Sequence, residues 1–273
     1  MEQDWVYRGT VEHYRDAVLY DYEYRRRRHD VRFYKKAAVE YANDRTVLEL
    51  ACGSGRVTKA IARAGVNVDA LDISLPMLSR CQTRLAKAGH ASRKRVHIVK
   101  ADMRDFCFEK KYPLILMAFN SFEHLYTRGD VERCLVNIKK HLEPGGRFIF
   151  DVQNPDLAWL IRNPEKRWAR TRFKHPETGE PLVYSSNHIY DPVSQIVLIS
   201  IYYDPNEKVG VTTTRSPSKK ITLAQRKFFP AELEALLASN GFVMEARYGD
   251  FEEEELSGDA ESQVLVCRLR SSR

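Results

Sequence analysis

Long hydrophobic runs are missing from this chain of 273 residues. Nowhere do about 18 apolar residues follow one another, the length a helix needs to cross a bilayer, so no membrane partner is expected. The start, Met1-Glu-Gln-Asp-Trp5, lacks the basic and then apolar pattern of a signal peptide. Cysteine is scarce: Cys52, Cys81, Cys107, Cys134 and Cys267 make an odd number with no Cys-x-x-Cys pair. That argues against a disulfide framework and against a metal site, and the thiols read as reduced ones of a cytoplasmic protein. Also absent are a Walker loop, a Ser-His-Asp set, paired glycosidase carboxylates, internal repeats and any low-complexity linker.

A hydrophobic content of 43% suffices for one well-buried core with a subdomain. The net charge of +7 invites a nucleic-acid reading, but its distribution argues against one. Arg25-Arg-Arg-Arg28 is interleaved with Asp16, Asp21, Glu23 and Asp30 on one predicted helix. A further basic patch spans Arg162 to Lys174, whereas Glu252-Glu-Glu-Glu255 makes the C-terminal part acidic. Solvated faces account for most of this charge; a polyanion surface and contacts to an anionic small substrate stay open.

The most informative stretch is Thr46-Val-Leu-Glu-Leu-Ala-Cys-Gly-Ser-Gly-Arg-Val-Thr58. It reads as a short buried strand, a tight small-residue turn, and a helix with Val57, Ala60, Ile61 and Ala64 inward. Gly53 and Gly55 carry no Cβ, tolerate positive φ and let a ligand approach the backbone. Asn67-Val-Asp-Ala-Leu-Asp72 reads as a second strand whose last residue lies about twenty positions on, where a carboxylate would accept from two ribose hydroxyls. Val96-His-Ile-Val-Lys-Ala-Asp102-Met103 reads as a third.

Leu48-Glu-Leu-Ala-Cys-Gly-Ser-Gly55, Leu71-Asp-Ile-Ser74, Ala101-Asp-Met103, Phe119-Asn-Ser-Phe-Glu-His-Leu125 and Leu142-Glu-Pro-Gly-Gly146 together resemble the class I S-adenosylmethionine-dependent methyltransferases. The resemblance covers residues 14–153 and, more loosely, 228–270. A nicotinamide dinucleotide domain shares the glycine turn, but it wants a third glycine near Thr58 and gives no reason for Asp102. The family's first glycine is Ala51 here.

The resemblance implies an α/β fold: a Rossmann-like, doubly wound, seven-stranded and mostly parallel sheet. It implies S-adenosyl-L-methionine as cofactor and S-adenosyl-L-homocysteine as product. The glycine turn with Glu49, Ala51, Cys52, Gly53 and Gly55 would carry the cofactor, with Asp72 on the ribose and Ile73 against the adenine. Asp102 would accept from the adenine amino group, the Met103 amide would meet a ring nitrogen, and Phe119 belongs to the same cofactor-binding set. Met77 joins this set, although its helix position suits the core at least as well. By the same resemblance an N-terminal helical lid over residues 1–45 folds over the cofactor, with Tyr20 of Leu19-Tyr-Asp21 near its methionine end; simple packing of the tyrosines is the alternative.

The rest of the chain divides into a core over 46–153, an antiparallel β insert over 154–229, and a completion of the sheet over 230–273. Pro113–Phe119 forms a continuous apolar fourth strand, as a parallel strand buried on both faces should. Asn120-Ser-Phe-Glu-His124 beyond it would line the active site. Four runs rich in β-branched and aromatic residues within 167–229 predict three or four antiparallel strands, which would shape the acceptor pocket or a homo-oligomer interface. Val243–Phe251 and Gln263–Arg270 would add a reversed strand pair.

Methyl transfer from a sulfonium is an in-line displacement that needs chiefly orientation of the acceptor. A base is optional; His124 and Tyr248 are the candidates, with capping or packing as their other reading, and His188 reads as structural. The reading reached is methyl transfer to N or O of a small-molecule acceptor. An RNA or protein methyltransferase would explain the charge, but Asn120-Ser-Phe-Glu stands where Asn-Pro-Pro-Tyr would support base methylation. A cofactor-binding subunit without methylation activity is the third reading.

Overall fold

The computed structural model describes residues 9–206 and 218–270. The chain forms two compact units: Arg26–Pro155 with the chain from Lys227 on, and the residues up to Arg25 with Asp156–Arg226.

The first unit holds strands β1 (Val47–Leu50), β2 (Val68–Asp72), β3 (Val96–Lys100), β4 (Tyr112–Met117) and β5 (Leu142–Gln153). The other unit contributes β6 (Trp168–Lys174), β7 (Pro181–Asp191), β8 (Ile196–Pro205) and β9 (Lys219–Arg226). The chain then returns to the first unit for β10 (Phe242–Tyr248) and β11 (Ser262–Leu269).

The first unit's strands form one sheet in the order β10-β11-β5-β4-β1-β2-β3. Of the expected reversed pair only β11 runs against its neighbours, since it is antiparallel to both β5 and β10. Apolar residues cover both faces. Leu48, Leu50, Ile115, Met117, Phe148 and Phe150 meet the helix Arg128–His141 through Val131, Leu135 and Ile138. Val47, Leu114, Leu116 and Ile149 meet Val57 and Ile61 of the helix Arg56–Arg63, and Tyr34, Ala37 and Ala38 of the helix His29–Ala42. Burial on both faces is why β4 is apolar throughout. The strand order reverses between β4 and β1, which opens a crevice at their carboxyl ends.

The second unit is built on the four-stranded antiparallel sheet β6-β7-β8-β9. Leu182, Ile201, Tyr203, Ile221 and Leu223 gather with Leu19 in a small core of its own.

One expectation needs correction. The N-terminal segment is not one helix: a 3-10 turn Glu12–Tyr14, a helix Ala17–Glu23 and the helix His29–Ala42 replace it. Asp16 starts the middle piece by accepting from the Leu19 amide, and Arg25–Arg28 falls between helices. Arg25 and Arg28 would face each other at i,i+3 in a continuous helix, a like-charge pair that disfavours it. The helix after β2 runs Leu75–Ala86, and Gly89 (φ 95°) precedes a separate short helix His90–Lys94. Among the described residues no helix is long and apolar enough to cross a membrane.

Candidate functional site

The turn after β1 holds three residues at positive φ: Ala51 (52°), Gly53 (55°) and Gly55 (75°). Cys52 N–H donates to Leu71 O at 2.9 Å and so ties the turn to β2. The two glycines are required for different reasons. A Cβ on Gly53 would meet only the Met77 methyl, at 3.3 Å, which leaves its outer side open. A Cβ on Gly55 would lie 2.3 Å from Cys81 Sγ, so Gly55 is fixed by helix packing beneath the turn and not by ligand approach. Ala51 adopts the left-handed region at a cost of about 1–2 kcal/mol.

Asp72 ends β2 and is buried. Its Oδ2 accepts from Gly53 N–H and its Oδ1 from Ser74 N–H, both at 2.8 Å. Burial raises its pKa, while the amides of Ser74, Gly53 and Ile73 oppose that shift. The two carboxylate oxygens together accept about four hydrogen bonds, so the three amides leave the group room for a further donor. Ile73 beside it is 56% exposed. Met77 is buried in the core with its methyl under Gly53. Glu49 is also buried, and burial pushes its carboxyl up to about 8. It accepts from Thr58 Oγ1 at 2.6 Å and so ties β1 to the following helix.

Asp102 lies two residues beyond β3 and is held by Arg104, whose Nη2 stands 2.7 Å from its Oδ2. The same guanidinium reaches Asp130 Oδ1 at 2.8 Å. Burial works to raise the Asp102 pKa, but the Arg104 hydrogen bonds outweigh it and hold it low. Asp102 remains an accessible carboxylate, and Met103 packs partly against the core.

Beyond β4, Phe119 (φ 62°) and Asn120 (φ 58°) are both left-handed. Asp151 on β5 pins them: its Oδ1 accepts from Phe119 N–H and its Oδ2 from Asn120 N–H, both at 2.8 Å. The hydroxyl of Tyr34 donates to the same Oδ1 at 2.5 Å, and burial pushes the Asp151 carboxyl up to about 6. The 3-10 turn Ser121–His124 follows. Glu123 is fully buried; its Oε1 accepts from Gln153 N–H at 2.7 Å and its Oε2 from Lys227 Nζ at 2.7 Å. Lys227, itself buried, also donates to the side-chain oxygen of Gln153. His124 pairs its Nδ1 with the Tyr126 hydroxyl at 2.9 Å. Burial and the nearby Lys227 charge lower its pKa to about 4, which leaves the ring neutral.

The sequence-predicted residues thus separate. Glu49, Ala51, Cys52, Gly53, Gly55, Asp72, Ile73, Asp102, Met103, Phe119 and His124 follow the carboxyl ends of β1 to β4 or lie on those strands, with Met77 beneath them. Tyr248 stands at the end of β10, four strands from β1, with its ring edge-on to Phe33 at 6.5 Å. Tyr20 belongs to the other unit, where it packs with His13, Tyr14 and Tyr24 at centroid distances of 4.8–5.7 Å. His188 stacks on Trp159 at 3.9 Å and meets its carbonyl oxygen, a structural role. Asp151, Lys227 and the Arg56–Asp30 pair are not anticipated from sequence. The signal for Asp151 is a lone acid inside Phe148-Ile-Phe-Asp-Val152; Lys227 is hidden in a basic run.

Comparison with known proteins matches residues 47–146 to the family described as Methyltransferase domain. The cypemycin N-terminal methyltransferase of Streptomyces sp is 32% identical over 111 residues, 41% of this chain. The chain spans 43% of that relative's length. The CcbJ methyltransferase of Streptomyces caelestis has a similar structure, with a TM-score of 0.77 at 23% identity over 95% of this chain and 99% of that one. The glycopeptide N-methyltransferase MtfA complexed with S-adenosyl-L-methionine gives a TM-score of 0.61 at 21% identity over 88% and 87%. The matched residues 47–146 span the glycine turn and strands β1 to β4 described above, and the structural likeness extends over the rest of the fold.

Proposed function

We propose that the protein transfers a methyl group from S-adenosylmethionine to a nitrogen or oxygen of a small-molecule acceptor. The observation that carries the reading is the Asp72 carboxylate, buried beside an open Gly53, with acceptor capacity left beyond its backbone amides. Two of the similar proteins are by name N-methyltransferases, and this favours an amine as acceptor.

The donor fits the residues present. Asp72 supplies acceptors for two vicinal hydroxyls, Asp102 an acceptor for an exocyclic amine, and Ile73 an exposed apolar surface for a base. Gly53 leaves room for close approach. Bound there, S-adenosylmethionine supplies a methyl already activated on a sulfonium. The chain's task is then to orient the acceptor collinear with that methyl. In this reading the segment Phe119–His124, stitched to β5 by Asp151 and Glu123, provides the rigid wall for that orientation. The neutral His124 accepts a hydrogen bond from the acceptor's N–H or O–H.

Calorimetric titration with S-adenosylmethionine, with NADH as control, tests the donor. Incubation with candidate amines and mass spectrometry for a gain of one methyl tests the acceptor class. Binding of NADH in place of S-adenosylmethionine would overturn the reading.

The low His124 pKa has a kinetic consequence. A ring that titrates near 4 is neutral across the working range, so it contributes no rising limb to kcat/KM between about pH 6 and 8. The rise should follow the acceptor amine's own deprotonation and keep its position in His124→Gln. A wild-type inflection near the ordinary histidine value that vanishes in His124→Gln would contradict this.

A further inference from the structure

Glu23, the last residue of the helix Ala17–Glu23, is a half-buried acid in the second unit, and no cation pairs with it among the described residues. The Tyr203 hydroxyl on β8 donates to its Oε1. Its Oε2 takes no hydrogen bond among the described residues and stays accessible to solvent. Lys219 on β9 is the positive charge that reaches Glu23, but it stands 3.6 Å from Asp16 and has the weakest effect on the carboxyl. Burial, working against the Tyr203 hydrogen bond, pushes Glu23 up to about 7, and the Asp16 charge adds to the rise.

The walls around this carboxyl are aromatic. Tyr184 and Tyr203 are direct partners across β7 and β8, so they share one face of the sheet, with ring centroids 6.0 Å apart and edge to face. Phe173 on β6 meets the Tyr203 ring at 6.2 Å, and Tyr22, beside Glu23 in the helix, stacks on Phe173 at 5.6 Å. Burial raises the Tyr184 pKa, and the Glu23 charge adds to it, so this carboxyl reaches both tyrosines.

An acid withdrawn from water without a counter-charge is a cost to the fold. One hydroxyl offsets it only in part, and the open Oε2 is free for a donor that also brings positive charge. A metal ion does not fit, because it needs several hard ligands. No group of three His, Cys, Asp or Glu side chains able to hold one occurs among the described residues. An organic ammonium fits. It needs a single carboxylate for a charge-assisted hydrogen bond, and aromatic rings attract it.

We propose that Glu23, walled by Tyr203 and Tyr184, binds an organic ammonium group. This site goes beyond the function proposed above and does not depend on the donor.

The test is ligand-observed NMR titration of the full chain with n-butylamine, which is protonated throughout the neutral range, and with n-butanol as its neutral counterpart. The ammonium should bind about 10-fold more tightly than butanol. Glu23→Gln keeps a side-chain oxygen for the Tyr203 hydroxyl, and it should remove that preference while leaving butanol unchanged. Ammonium affinity should also rise about 10-fold from pH 6 to about 8 as Glu23 ionises, and it should stay flat in Glu23→Gln. Asp16, Lys219, Tyr203 and Tyr184 face Glu23 from the helix and from β9, β8 and β7, and His175 stands 3.5 Å from Asp16. All five remain in Glu23→Gln, so a flat profile there assigns the rise to Glu23. Absence of ammonium binding, equal affinity for butanol, or an unchanged preference in folded Glu23→Gln would overturn the site. Failure to bind S-adenosylmethionine would overturn only the function proposed above.

Discussion

Lys227→Met should lower folding stability by about 3–5 kcal/mol, the cost of stranding one member of a buried ion pair. Lys227 and Glu123 are 2% and 0% exposed, and Nζ bridges Glu123 and Gln153. Without the ammonium, the Glu123 carboxyl keeps, among the described residues, only the Gln153 amide as a hydrogen-bond partner. In a chain of this size the melting temperature should fall by about 10 °C. The sign of the pH dependence follows. Burial already raises the Glu123 pKa against the pull of Lys227, and the substitution raises it further above the unfolded value. The variant therefore binds more protons folded than unfolded in the neutral range, so its deficit should shrink on acidification and grow as pH rises. Lys227→Met combined with Glu123→Gln should recover most of the loss, because a neutral amide carries no stranded charge. Urea denaturation at two pH values checks all three statements. A single-variant loss below about 1 kcal/mol, the scale of an exposed pair, would show that the pair is solvated.

Asp72→Ala should weaken S-adenosylmethionine binding by about 100-fold while the far-UV circular dichroism stays native. Two charge-assisted hydrogen bonds to ribose hydroxyls account for roughly 1.5–3 kcal/mol each. The structure adds a second loss, because Asp72 also holds the Gly53 amide and thereby shapes the turn on which the donor would lie. Asp72→Asn keeps an acceptor oxygen and should retain part of the affinity. Unchanged affinity in folded Asp72→Ala would refute the placement of the cofactor.

The cofactor half of the site is legible in the sequence because it is assembled from local signals. The strand–turn–helix of Thr46–Thr58 and the acids that end or follow β2 and β3 lie within about sixty positions, each marked by periodicity or by glycine. The acceptor half is not legible in this way. Nothing near Phe119 announces that its left-handed backbone depends on Asp151, and nothing near Glu123 points to Lys227. Burial by partners distant in sequence decides both. Gly55 shows a subtler limit: glycine was expected there, but its reason, Cys81 beneath the turn, belongs to another helix. The break at Tyr24–Arg28 is not legible because the apolar stripe is irregular on both sides of it, so no interruption of the pattern marks the end of one helix and the start of the next.

The sequence distances within these two halves also bear on how the molecule assembles. Gly53 and Asp72 are 19 residues apart, and Asp102 and Arg104 are 2 apart. Phe119 waits for Asp151 across 32 residues, and Glu123 for Lys227 across 104. Chain closure costs more entropy as the loop lengthens, and contacts of high sequence separation slow folding. During synthesis, the residues proposed to grip the nucleoside have all left the ribosome before Asp151 exists, and long before Lys227 does. The wall that would orient the acceptor is thus completed last, so a nascent chain acquires the elements for holding a methyl donor before it can direct the methyl anywhere.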